Sequence, residues 1–119
     1  MNRQALEEYI SAQFGAAGER LWRAWPDYVV FRNPRNKKWF AVLMDVEKSK
    51  LGLSGGGTAD VVNLQCDPIL VGSLLQSEGC LPAYHMNKIN WVTVLLQGGP
   101  SAEELRELLR ISYSLVDGK

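Results

Sequence analysis

The chain has 119 residues, of which 46% are hydrophobic, 22% charged and 9% aromatic. Thirteen Lys/Arg balance thirteen Asp/Glu. This is globular composition, sufficient for one domain over residues 1–119, and it excludes both a disordered chain and a strongly basic one that would bind nucleic acid by bulk charge.

Residues 3–14 place Leu6, Tyr9, Ile10 and Phe14 three and four apart, one apolar stripe of a helix. Asn2 is its expected cap, and Gly15 and Gly18 its stop. Tyr28 to Phe31 reads as a short strand, and Trp39 to Met44 as a second. Strict alternation assigns Trp39, Ala41 and Leu43 to one face and Phe40, Val42 and Met44 to the other. Asn33-Pro34-Arg35-Asn36 supplies the turn of the hairpin.

The next stretch, Asp45 to Asp60, holds three consecutive glycines, Gly55 to Gly57, and reads as a flexible connection. A third strand follows at Val61 to Leu64. Asp67-Pro68 is a strong helix start, with Leu70, Val71, Leu74 and Leu75 as the buried stripe and Gly79 as the stop. Leu81 to Tyr84 is extended because of Pro82, and Trp91 to Leu96 is the clearest strand. Ser101 and Glu104 form a capping box for a last helix, which carries Leu105, Leu108, Leu109, Ser112 and Val116 on its apolar side and ends at Gly118. The expected fold is α+β, an antiparallel sheet covered by helices on one face, in the order α-β-β-β-α-β-β-α.

Charge is uneven along the chain. Residues 1–60 hold nine cations and seven acids, and residues 61–119 hold four and six. Arg32 to Lys38 has four cations and no acid, at the predicted hairpin tip. A solvated turn explains this cluster as well as a ligand does. Trp39 and Trp91 alternate as sheet-face or core residues. Trp22 and Trp25 flank Arg23 in a segment without periodicity, and are either an exposed pair or a plug for the core.

Four stretches carry a family resemblance. Pro82 to Val94 contains Tyr84-His85-Met86-Asn87-Lys88 before a tryptophan-led strand; the others are Lys38-Trp39-Phe40-Ala41, Asn63-Leu64-Gln65-Cys66-Asp67-Pro68, and Ile111-Ser112-Tyr113-Ser114-Leu115-Val116. In kind and order they resemble the MmcQ/YjbR family. The resemblance implies a CyaY-like, secretion-chaperone-like fold, and DNA binding, the label the family commonly carries. Two departures stand out. Gln65 replaces the family's usual lysine, and the stretch from Glu47 to Asp60 is longer and richer in glycine.

His85, Asn87 and Lys88 all donate hydrogen bonds suited to an anionic oxygen. Two readings stand for them: a phosphate contact, or a brace of the main chain where an irregular segment enters a strand. On the DNA reading, Arg32, Arg35, Lys37 and Lys38 at the hairpin tip, with Lys48, Lys50, His85, Asn87 and Lys88, contact the backbone of double-stranded DNA from a single positive facet. The alternative is an interaction module whose exposed sheet face receives a protein partner or a second copy of the chain.

No His–Cys–acid set or paired carboxylate motif points to catalysis. One histidine with two distant cysteines is poor material for a metal, so no enzyme, metal or cofactor is expected. Cys66 and Cys80 read as reduced structural thiols. No apolar run approaches the roughly 18 residues of a membrane span, and no signal-peptide pattern opens the chain, so a cytoplasmic protein is expected.

Overall fold

The computed structural model describes residues 1–118. Helix α1 covers Arg3–Phe14, with the Asn2 side chain accepting from the Ala5 amide and Gly15 closing the far end in the left-handed region. Strands β1 (Val29–Arg32) and β2 (Trp39–Glu47) form the hairpin, and β3 is Thr58–Gln65. Helix α2 (Pro68–Leu74), β4 (Cys80–Pro82), β5 (Trp91–Leu95) and α3 (Ala102–Asp117) follow. The strands make one antiparallel sheet in the order β1-β2-β3-β5-β4. The two-layer α+β arrangement and its element order are as the sequence implies.

The main core lies between the sheet and the helices. Leu6 and Ile10 of α1, Val71 of α2, and Leu105, Leu109 and Val116 of α3 pack on Val29, Phe31, Phe40, Leu43, Leu64 and Val92. Each large aliphatic side chain so buried contributes about 1.5–3 kcal/mol of transfer free energy. Cys66 and Cys80 are free thiols within this core, and burial pushes both thiols above their ordinary range.

Three elements differ from expectation. Helix α2 stops at Leu74, because the Ser73 and Leu74 carbonyls accept from the Gln76 and Ser77 amides in tight turns. Gly79 therefore opens β4 rather than ending a helix, and Leu75 is exposed. The glycine-rich stretch is also shorter than it looks. Strand pairing runs out to Glu47 opposite Thr58, and Lys48–Leu51 forms a single 3-10 turn.

The third difference is a β-bulge. Phe31 pairs with Ala41 and Arg32 with Trp39, so Phe40 has no partner on β1. The extra residue reverses the alternation. Phe40 turns into the helix-side core, edge-on to Phe14 and Tyr113, and Trp39 turns to the opposite face. The carbonyls that the bulge frees are taken by side chains. The Ser112 hydroxyl donates to the Phe40 carbonyl at 2.5 Å and accepts from the Gln65 amide at 2.9 Å. The Gln65 side chain donates to the Trp39 carbonyl at 3.1 Å.

The hairpin tip caps α3. Fully buried Asn33 donates to the Asp117 carboxylate at 2.8 Å, Asn36 donates to the Val116 carbonyl at 2.7 Å, and the Arg35 guanidinium pairs with Asp117 at 2.7 Å. These groups satisfy the last turn of a helix whose carbonyls otherwise lack partners. At the free edge of β1, Glu19 bridges Val30 through both of its main-chain groups.

Candidate functional site on the open sheet face

The second face of the sheet carries no helix. Val30, Val42, Met44, Val46 and Val61 form a smaller apolar layer there, and Trp22, Tyr28, Trp39, Leu51 and Tyr84 pack around it. A pocket of about 360 Å³ opens above Val42, Met44 and Asn63.

One wall comes from the aperiodic segment before β1. Its main chain turns twice, with Trp25 donating to the Trp22 carbonyl and Tyr28 to the Trp25 carbonyl. The turns gather three rings. Trp25 stacks on Tyr28 at 5.9 Å and 20°, and Trp22 stands edge-on to Tyr28 at 6.0 Å and to Trp39 at 5.9 Å. Trp25 keeps 54% of its surface in solvent. Trp39 joins this wall only because the bulge re-aims it. The Arg32 guanidinium lies 5.8 Å over the Trp39 ring while paired with Glu19 at 2.9 Å.

The other wall is the Tyr84-His85-Met86 segment with Lys50 from the 3-10 turn. A buried polar triangle fixes it. Thr93 donates its hydroxyl to the Asn63 side-chain oxygen and accepts from the Tyr84 amide at 2.8 Å, and the Asn63 amide donates to the Tyr84 carbonyl at 2.8 Å. Both main-chain groups of Tyr84 are thereby held. The next residue, His85, sits in the left-handed region at φ 59°, its ring 4.0 Å from that of Tyr84. A shallower hollow of about 390 Å³ lies beyond, lined by Pro82, Lys88 and again Lys50, Tyr84 and His85. These three residues form a ridge between the two hollows.

Neither lining contains Asp or Glu. Among the described residues, no acid pairs with Lys50 or Lys88 and no hydrogen bond engages the His85 ring. The Tyr28 phenol is held above its ordinary range, chiefly by burial and then by Tyr84 and Asp45, so it remains a neutral O–H donor.

The structure divides the cations that the sequence groups together. Arg32 and Arg35 are each matched with an acid, Glu19 and Asp117. Lys37 and Lys38 remain exposed at the hairpin tip. Lys48 and Lys50 follow the far end of nine-residue β2, roughly 26 Å of strand away. Lys50, His85 and Lys88 do come together on the open face. Asn87 braces the main chain, accepting from the Ile89 amide at 2.8 Å, whereas the His85 ring has no hydrogen bond to the main chain among the described residues. Gln65, in the place of the family's lysine, serves the bulge.

The sequence reading does not single out Tyr28 and Tyr84 as pocket residues. The aromatic density of Trp22 to Tyr28, in a segment with no period of its own, is the signal that marks this wall.

The motif stretches thus converge: one set repairs the bulge that aims Trp39, and the other holds the ridge. The YjbR family model matches residues 12–115. The uncharacterised protein YyaQ of Bacillus subtilis (strain 168) is 32% identical over 116 residues, with 98% of each chain covered. A crystal structure of a Pseudomonas syringae protein superposes with a TM-score of 0.94 at 43% identity, covering 97% of this chain and 98% of that one. A Deinococcus radiodurans protein with a DUF419 domain gives a TM-score of 0.71 at 27% identity, covering 98% and 78%. With these matches and the motif residues in place, the chain belongs to the MmcQ/YjbR family.

Proposed function

We propose that the chain is a non-enzymatic nucleic-acid-binding protein of the cytosol, and that it meets DNA with the open face of its sheet. The observation that carries this reading is the ridge of Lys50 and His85 between two hollows lined by no acid, beside the exposed Trp25 ring and the half-buried rings of Trp22 and Trp39. Cations that hold no ion-paired acid attract phosphate, and aromatic faces suit bases. The hairpin tip is the weaker candidate, because Arg32 and Arg35 already have carboxylate partners. With Lys50 and Lys88 as the principal phosphate contacts, affinity is modest and the log–log salt slope is about −2, from roughly −0.9 per contact.

The test is a titration of labelled DNA bearing both a duplex and a single-stranded tail, at low and moderate salt. Lys50→Ala/Lys88→Ala loses most of the binding, and Lys37→Ala/Lys38→Ala keeps it. Absence of binding at low salt with micromolar protein overturns the reading. Loss in the second variant alone moves the contact back to the hairpin.

The apolar floor of Val42 and Met44 supports a second reading, a module that takes a partner protein or a second copy. It gains if DNA fails to bind and sedimentation shows association with rising concentration.

A further inference from the structure

An aromatic-walled pocket has three natural guests: a cation, an apolar side chain and a flat heterocycle. A cation is disfavoured here. Lys50 and His85 stand on the rim and no carboxylate lines the cavity. An apolar side chain leaves Lys50, the His85 ring and the Tyr28 and Tyr84 hydroxyls unused. Neither hydroxyl has a hydrogen-bond partner among the described residues. A flat heterocycle bearing a negative charge uses every part. Its faces meet rings, its edge meets the phenol hydroxyls, and its charge meets the ridge. The cavity, about 360 Å³, is at the small end of ligand sites, enough for a base and its sugar but not for a stretch of duplex.

We infer that this pocket seats one unpaired base of single-stranded DNA, lying against the rings of Trp22, Trp25 and Trp39 with its phosphate on Lys50 and His85. This rests on the nucleic-acid reading above and narrows it. In a duplex, the neighbouring pairs cover both faces of each base, so the aromatic wall has nothing to stack on. A splayed base offers its face freely. Trp25 is half in solvent and receives the base first. The Asn63 carboxamide is already engaged by Tyr84 and Thr93, which leaves the base edge to the two phenol hydroxyls, groups that donate or accept as the base requires. The seat therefore tolerates different bases.

Three of the chain's four tryptophans line this pocket, so their emission reports its occupancy directly. The experiment titrates the whole protein at low salt with a 15-nucleotide single strand, its duplex, an abasic strand of equal length and a free nucleoside monophosphate. The single strand is expected to quench tryptophan emission and to bind at least tenfold more tightly than the other three. Trp25→Ala, at an exposed position on the pocket wall, lowers single-strand affinity about tenfold, towards that of the abasic strand. Tyr28→Phe is a second, milder variant with the same direction. Equal binding of single strand, duplex and abasic strand overturns the base seat while leaving the DNA reading intact. A monophosphate that binds as tightly as the strand overturns the strand as occupant. No binding of any of the four removes both proposals together.

Discussion

The side-chain amide of Asn63 donates to the main-chain carbonyl of Tyr84 across 2.8 Å, joining the centre of the sheet to the ridge of the open-face pocket. Asn63 and Thr93 are both buried, and each completes the other's hydrogen bonding. Replacing Asn63 with Ala strips the Tyr84 carbonyl and leaves the Thr93 hydroxyl without its acceptor. The expected cost is about 1–3 kcal/mol. Thr93→Val should cost a similar amount, and the double variant less than the sum, because the two share one network. Urea unfolding of the four proteins measures this, and strict additivity contradicts it.

Ser112→Ala tests the repair of the bulge. Its hydroxyl serves the Phe40 carbonyl and the Gln65 amide, and the residue is fully buried. Destabilisation of about 1–3 kcal/mol is expected, with an unchanged denaturant slope. A neutral result means the bulge does not depend on the helix.

Gly79 should resist substitution more than Gly57 does. Both are left-handed, at φ 82° and 85°. A methyl at Gly79 falls 2.2 Å from the Gly99 α-carbon, whereas Gly57 faces open space. Gly57→Ala therefore carries only the left-handed penalty, about 1–2 kcal/mol. Gly79→Ala adds about 1–3 kcal/mol of overlap to that. Thermal unfolding of the two variants side by side decides it.

The cap on α3 should respond to acid. Asn33 donates to the Asp117 carboxylate and Arg35 pairs with it, and together they hold its pKa below the ordinary 3.8. A lowered folded-state value means the unfolded chain takes up the proton first. The contribution is therefore complete above pH 3.8 and is lost as pH falls through the lowered value. Asp117→Asn should be less stable than the parent at neutral pH, with the gap closing in strong acid. A gap that stays constant from neutral pH to pH 2 rules this out.

Local pattern made much of the fold legible. The capping box at Ser101 and Glu104 and the caps at Asn2 and Asp67 form as read, because each needs only residues within three positions. The bulge was not legible. Trp39 to Met44 is apolar at every position, so a period of two does not say which face each residue takes. Phe40 and Trp39 accordingly lie on the faces opposite to those expected. The pairing of the cations was equally hidden. Arg35 meets Asp117 from 82 positions away and Arg32 meets Glu19 across a strand edge, contacts that no local charge run encodes. For the pocket, the aromatic residues were visible in the sequence but not their convergence, which depends on two turns between Trp22 and Tyr28.

The margins of the sheet carry a consequence for behaviour at high concentration. On one side, Glu19 occupies both outward groups of Val30, at the middle of β1. On the other, β4 runs for only three residues and finishes on Pro82, which has no amide hydrogen to offer. Neither border is a template on which a neighbouring molecule can extend the ladder. Crowded solutions should therefore hold discrete particles and not fibres, a form of solubility set by backbone geometry rather than by charge, of which this chain has no net supply.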